Sequence, residues 1–177
     1  MPTLISATDT AVMIRKALKE AFPDVKFSVR TSKYSGGASV SVRWIDGPND
    51  AQVNAVTGVF KGSYFDGQQD MKGNRYAMVD GKTVSFGADY IHASRIYSRA
   101  FCEKIAARFP DIPTKITGTD EFGWGISAGQ FEESRPVMQA LARLSDRLRV
   151  APSPTAGKVI NLGNDGYSDV GALRADI

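Results

Sequence analysis

The amino-acid sequence predicts an α+β fold, an antiparallel sheet built from hairpins and packed against three to four helices. Segments whose apolar residues return every three to four positions alternate along the chain with segments where they return every second position. The period-two segments come in pairs, separated by Gly-Gly or Asp-Gly. With 177 residues, 42% of them hydrophobic and 23% charged, the chain has the size and make-up that fill a single core. One domain is expected over residues 1–150, followed by a linker and flexible tail over 151–177.

The first helix is expected to start at Thr8-Asp9, either of which can cap free backbone N–H groups. Val12, Met13, Ala17, Leu18 and Ala21 make its apolar stripe. Pro23 ends it, because proline disfavours α geometry in the residue before it. Two alternating runs follow, VKFSVRT and ASVSVRW, around SKYSGG, where Gly36-Gly37 supplies the positive φ of a tight turn. Val25, Phe27, Val29 and Thr31 share one face with Val40, Val42 and Trp44. Lys26, Ser28 and Arg30 share the other with Ser39, Ser41 and Arg43. Asp46-Gly47-Pro48 ends the second strand, and Asn49 or Asp50 caps a second helix, which completes a helix–hairpin–helix unit over residues 8–59.

Residues 61–73, rich in Gly, Asp and Gln, read as an exposed loop. Residues 75–79 and 83–86 read as a hairpin around Asp80-Gly81. In ADYIHASRIYS, Tyr90, His92, Ser94 and Ile96 fall on one side of an extended segment, and Ile91, Ala93, Arg95 and Tyr97 on the other. A third helix is expected over 98–109, closed by Pro110, and an irregular hairpin over 115–126. The last helix is expected over 132–150. Its stripe is Val137, Leu141, Leu144 and Leu148, with Glu132 and Glu133 at the end its dipole favours for acids, and Arg147 and Arg149 at the other.

Composition narrows the function. Cys102 is the only cysteine and His92 the only histidine, so an intramolecular disulfide and a thiolate zinc site are excluded, and no metal or cofactor is expected. Twenty-two Lys and Arg against 19 Asp and Glu leave a net charge of +3. That balance permits nucleic-acid contact without the concentrated charge of dedicated DNA-binding domains. No apolar run approaches the roughly 18 residues that cross a bilayer, and MPTLISATDT has neither a basic leader nor a long apolar stretch, so a cytoplasmic location is expected.

IRKALKEAFPDVKFSVRTSKYSGGASVSVRWIDGP, then VNAVTGVFKGSYFDG and DYIHASRIYS, resembles large polyvalent protein associated domain 29 over about residues 8–110. The resemblance rests on Phe27, Tyr34-Ser35-Gly36-Gly37, Trp44, Asp46-Gly47-Pro48, Phe65-Asp66-Gly67 and Arg95-Tyr97-Ser98. It implies an origin in phages, plasmids or conjugative elements and a part in genetic conflict. It brings no agreed catalytic residues. The chain differs from the polyvalent setting in reading as a short free-standing protein, like the antirestriction and anti-CRISPR factors of such elements.

Two surfaces are candidates for contact. One is the polar hairpin face, Lys26, Arg30, Ser39, Ser41 and Arg43, with Lys33 and Tyr34 at the tip. Such a ribbon can lie against a phosphate backbone or meet a protein that binds one, and the same pattern also describes an ordinary solvated face. The aromatic Gly-rich loop at Tyr64-Phe65 is a further candidate for contact. The other surface is Asp89, Tyr90, His92, Arg95 and Tyr97, where an imidazole near neutrality can shuttle protons. His92, however, faces away from Asp89 in an extended segment.

Cys102, between Phe101 and Ile105, reads as a buried thiol. Gly118, Gly123 and Gly125 match no phosphate loop, and Asp66 and Asp70 lack the spacing of a calcium loop. No enzyme is expected. The leading expectation is a non-catalytic counter-defence protein that binds a host defence protein or ribonucleoprotein. The alternatives are a DNA- or RNA-binding accessory protein and, more weakly, an enzyme centred on His92 and Arg95.

Overall fold

Ser6, not Thr8 or Asp9, caps the first helix: its Oγ accepts the Asp9 N–H at 3.1 Å, and its carbonyl accepts the Thr10 hydroxyl at 2.8 Å. The reason lies just upstream, where a short strand β1 (Thr3–Ile5) delivers the chain directly into α1 (Ala7–Ala21). Ala11, Ile14, Ala17, Leu18 and Ala21 make the buried stripe, and Val12, 54% exposed, lies outside it. The computed structural model describes residues 1–66 and 71–164.

The hairpin forms as the alternation predicts, from β2 (Ser28–Tyr34) and β3 (Gly37–Ile45), with Gly36 at φ 91° in the turn. Asn49 caps α2 (Asp50–Thr57) through a capping box with Gln52, and a 3₁₀ turn follows over Gly58–Phe60. The segment expected to be a loop is instead an arm: β4 (Ser63–Asp66) pairs antiparallel with the start of β5 (Met71–Val79). Gly73 hid that pairing in the sequence. It weakens a strand by itself, but here it leaves room for the ring of its cross-strand partner Tyr64, where a Cβ would collide. Asp80 and Gly81, both at positive φ, turn β5 into β6 (Lys82–Phe86).

Next come β7 (Tyr90–Ile96), α3 (Arg99–Ala106), the hairpin β8 (Thr114–Thr119) and β9 (Gly123–Ala128), α4 (Phe131–Arg143), α5 (Pro154–Gly157) and β10 (Val159–Asn164). The fold is α+β. Its sheets are mixed rather than purely antiparallel, because β1 pairs parallel with β6 and β3 parallel with β7. One sheet runs β1-β6-β5-β10 with β4 on β5, a second β2-β3-β7, and β8-β9 stands apart.

The helix expected over 132–150 is α4, which stops at Arg143. The chain beyond it is tied down: the Ser145 hydroxyl donates to Gln52, the Asp146 N–H to the Gly47 carbonyl and the Ala151 N–H to the Ala21 carbonyl. The buried apolar residues form two cores, a larger one that includes Ile14, Leu18, Val42 and Trp44 and a second one of Phe101, Cys102, Ile105, Ile126, Val137 and Leu141; Leu144 packs on the second and Leu148 on the first. Residues 151–164 are likewise not a free tail. Glu20 accepts hydrogen bonds from the Ser153 and Thr155 hydroxyls and the Thr155 N–H at 2.8–3.0 Å, and β10 pairs with β5. The rest of the expected tail, residues 165–177, lies outside the described residues. No helix among those described is long and apolar enough to cross a membrane.

Candidate functional site

The strand register builds the site. Ser28 lies opposite Arg43, Arg30 opposite Ser41 and Ser32 opposite Ser39, while the parallel partner β7 sets Ser94 beside Arg43, His92 beside Ser41 and Tyr90 beside Ser39. Because side chains alternate, all of these project from the same face. The opposite face sends Val29, Val40, Val42, Trp44 and Ile91 into the core. The result is an open face, three strands wide along Ser39–Arg43 of β3, about 16 Å at ~3.3 Å per residue. It carries two arginines, a histidine, a tyrosine and a set of serine hydroxyls, and no carboxylate in these three rows. Arg30, Arg43 and His92 are exposed, and Ser39 and Ser41 half-buried between them. Among the described residues neither arginine has an ion-pair partner. Tyr90 and His92 stack at 6.1 Å and 24°.

The hairpin tip is fixed rather than loose. The Tyr34 hydroxyl donates to Asp89 at 2.9 Å, and Lys72 pairs with the same carboxylate oxygen at 2.6 Å. Gly37 suits this close approach, since a Cβ there would push the Asp89 carboxylate aside. Lys33 stays exposed beside it, and Lys26 stands exposed just ahead of β2. Two clefts flank the face. One of about 560 Å³ opens at the C-terminal end of β3 around Lys26, Phe27, Arg30, Arg43 and Ile45. The other, about 370 Å³, opens at the start of β7 and brings Tyr64 and Phe65 to Tyr90 and His92.

Arg95 and Tyr97, expected as contact residues, belong elsewhere. Arg95 is only 9% exposed. Its guanidinium donates to the carbonyls of Asp46 (3.0 Å), Gly47 (3.2 Å), Leu141 (3.4 Å) and Leu144 (2.8 Å), and lies over the rings of Tyr97 and Phe101. Burial lowers its pKa, opposed by Tyr97 and the carboxylates of Asp46, Asp50 and Asp146. Tyr97 stacks on Phe101 at 5.9 Å, and burial raises its pKa. This is a structural joint. Asp46 and Gly47 hold positive φ there; the Ser98 hydroxyl caps α3 by accepting the Phe101 N–H at 3.1 Å, and the Asp46 carboxylate holds that cap residue by accepting the Ser98 N–H at 2.8 Å.

His92 and Arg95 emerge on opposite faces of β7, so they do not come together in one site. Asp89 is engaged by Tyr34 and Lys72. Cys102 is buried, and burial foremost pushes its thiol up to about 11, with Asp46 and Glu103 adding to it. What sequence reasoning missed is the parallel β3–β7 pairing that adds Tyr90, His92 and Ser94 to the hairpin face. Their alternation was legible, but no local signal names a strand's partner some fifty residues away.

Fold and face together define an α+β domain with one buried and one open, cationic, hydroxyl-rich sheet face. No curated protein and no solved structure matches the chain. The chain belongs to the family of large polyvalent protein associated domain 29, which matches residues 5–98 rather than the 8–110 expected. The family is associated with large polyvalent proteins of phages and other mobile elements. The match ends at Ser98, the cap of α3, so the hairpin, the arm and β7 lie inside it and α3 to β10 outside.

Proposed function

We propose that the protein is a non-catalytic accessory factor of a mobile element that holds nucleic acid against the open face of β2, β3 and β7. The observation that carries this reading is the completed face, where Arg30 and Arg43, without an ion-pair partner among the described residues, stand among serine hydroxyls beside the stacked Tyr90 and His92. Cations and hydroxyls are phosphate-contacting groups, and aromatic rings on a sheet are base-contacting ones. A family associated with mobile elements fits a protein that works beside transferred nucleic acid.

A second reading keeps the same face and gives it a host defence complex as partner, in the manner of an anti-CRISPR or antirestriction factor. Ile45 (58% exposed) and Tyr34 (45% exposed) on the face's margins favour it, because a protein partner would bury them.

Fluorescence anisotropy of the full chain with labelled single-stranded DNA and RNA separates the two. Two to four phosphate contacts make affinity fall about 7- to 50-fold between 50 and 200 mM salt, through counterion release from single strands. Arg30→Glu with Arg43→Glu should abolish that binding. If the wild-type protein binds neither strand at 50 mM salt, the nucleic-acid reading is lost. A partner retained from a nuclease-treated lysate by the wild type, and lost by the double variant, then supports the second reading.

A further inference from the structure

The arm of β4 and β5 and the face of β7, separate surfaces in the sequence, share one cleft. Phe65 (58% exposed) from β4 and Tyr90 (39% exposed) from β7 line it, together with His92, which stacks on Tyr90. The cleft is framed by backbone. The Gly62 N–H donates to the Ala88 carbonyl at 2.8 Å, the Arg75 N–H to the Gly62 carbonyl at 2.9 Å, and the Ser63 hydroxyl to the Asp89 carbonyl at 2.8 Å. Tyr64, seated over Gly73, adds a further ring to the wall. Two cations, Lys61 and Arg75, stand at the same cleft, and among the described residues neither is in an ion pair. The carboxylate of the one acid lining it, Asp89, is already engaged by Lys72 and Tyr34.

Rings next to cations match a base next to its phosphate, since every base has a π-face whatever its sequence. At about 370 Å³ the cleft lies within the range of small-ligand sites, roughly 300–1,000 Å³. Two of its lining residues, Tyr90 and His92, are register partners of Ser39 and Ser41, so the cleft adjoins the rows of the open face. A base paired and stacked in a duplex cannot offer both its faces to protein rings, whereas a splayed single strand can.

We propose that this cleft is a stacking subsite for one unpaired base of a single-stranded nucleic acid, with Lys61 and Arg75 on the adjoining phosphate. The proposal rests on the nucleic-acid reading of the face and adds where a base is held.

The test uses the full chain and five labelled probes: dT12, rU12, an all-abasic 12-mer of each backbone, and a 12-base-pair duplex. Phe65→Ala and Tyr90→Ala, both at exposed positions, should each weaken binding to dT12 or rU12 by about 5- to 150-fold, the range for loss of one base–aromatic stack. Phe65→Trp should keep wild-type affinity, and the abasic strands should not distinguish wild type from Phe65→Ala. The tighter of dT12 and rU12 identifies the natural strand. If both alanine variants bind within twofold of wild type while Arg30→Glu with Arg43→Glu does not bind, the face reading stands and the subsite is overturned. A Phe65-dependent affinity for the duplex overturns the requirement for an unpaired base. If wild type binds none of the probes, the face reading and the subsite fall together.

Discussion

The core beneath the open face draws on residues from Ala11 to Val159, whereas the second core is assembled from Phe101 to Leu141 alone. The first holds most of the largest fully buried side chains, Trp44, Phe22, Phe60, Ile14 and Leu18 among them. The second contributes only Val137 to that group. One is a long-range structure to which both ends of the described chain contribute; the other is a local helix–hairpin–helix unit lying just past the family's span. Arg95 joins them without a carboxylate, by binding carbonyls of the Asp46-Gly47 turn on one side and of the C-terminal end of α4 on the other. Those last carbonyls are the ones a helix leaves unsatisfied and a cation stabilises. A domain that offers such a socket can carry an added unit without exposing either core.

Three changes test that contrast. The largest effect should come from Arg95→Leu, which removes the guanidinium donor from the carbonyls of Asp46, Gly47, Leu141 and Leu144, of which Gly47 still keeps the Asp146 N–H. We expect a loss of about 3–5 kcal/mol in chemical denaturation, the scale of breaking a buried charged network. A loss below about 1 kcal/mol would show that the two regions are held together some other way. Leu141→Ala, in the second core, should cost about 2–4 kcal/mol. Hydrogen exchange should report it unevenly, with protection falling first in α3, β8, β9 and α4 while the amides of β2, β3 and β7 keep theirs. Uniform loss across both regions would erase the distinction.

The smallest effect concerns Glu20, which anchors residues 153–155 to α1. Burial pushes its carboxyl up, but the Thr155 N–H, the Ser153 and Thr155 hydroxyls and nearby Lys16 together hold it below its ordinary value of 4.5. A depressed folded-state pKa stabilises above the unfolded value and loses that contribution as pH falls through the folded one. Glu20→Gln should therefore lower stability by at most about 1 kcal/mol at pH 7, and wild type and variant should converge well below pH 4.5. Equal unfolding midpoints at pH 7 would remove Glu20 as an anchor.

The hairpin, α2 and the Asp80-Gly81 turn were legible because each is specified by neighbours in sequence. Alternation gives the faces, glycine the turn and Asn49 the cap. The arm was not, because Gly73 looks like a breaker until the Tyr64 ring lies across it. Neither was β10, whose strand character comes from its pairing with β5 rather than from any period of its own. Within the candidate site, Arg30, Ser39, Ser41 and Arg43 were placed on one face correctly. Arg95 and Tyr97 were misassigned for a different reason. Charge and aromaticity look the same in sequence whether a side chain meets solvent or a helix end, and only the packing of α4 decides which.

The parallel pairing of β3 with β7 also governs the order in which the protein can be made. At ~5–20 residues per second, roughly 2–9 s separate the emergence of Ile45 from that of Tyr90 at the ribosome. Over that interval β3 has its hairpin partner on one edge and a bare line of amides and carbonyls on the other. The large sheet waits longer still, since β10 arrives last. Folding is thus governed by contacts of high sequence separation and belongs to the slow class. The nascent hairpin is a template for any passing strand, and a chain cut off before residue 90 would keep that edge open for good.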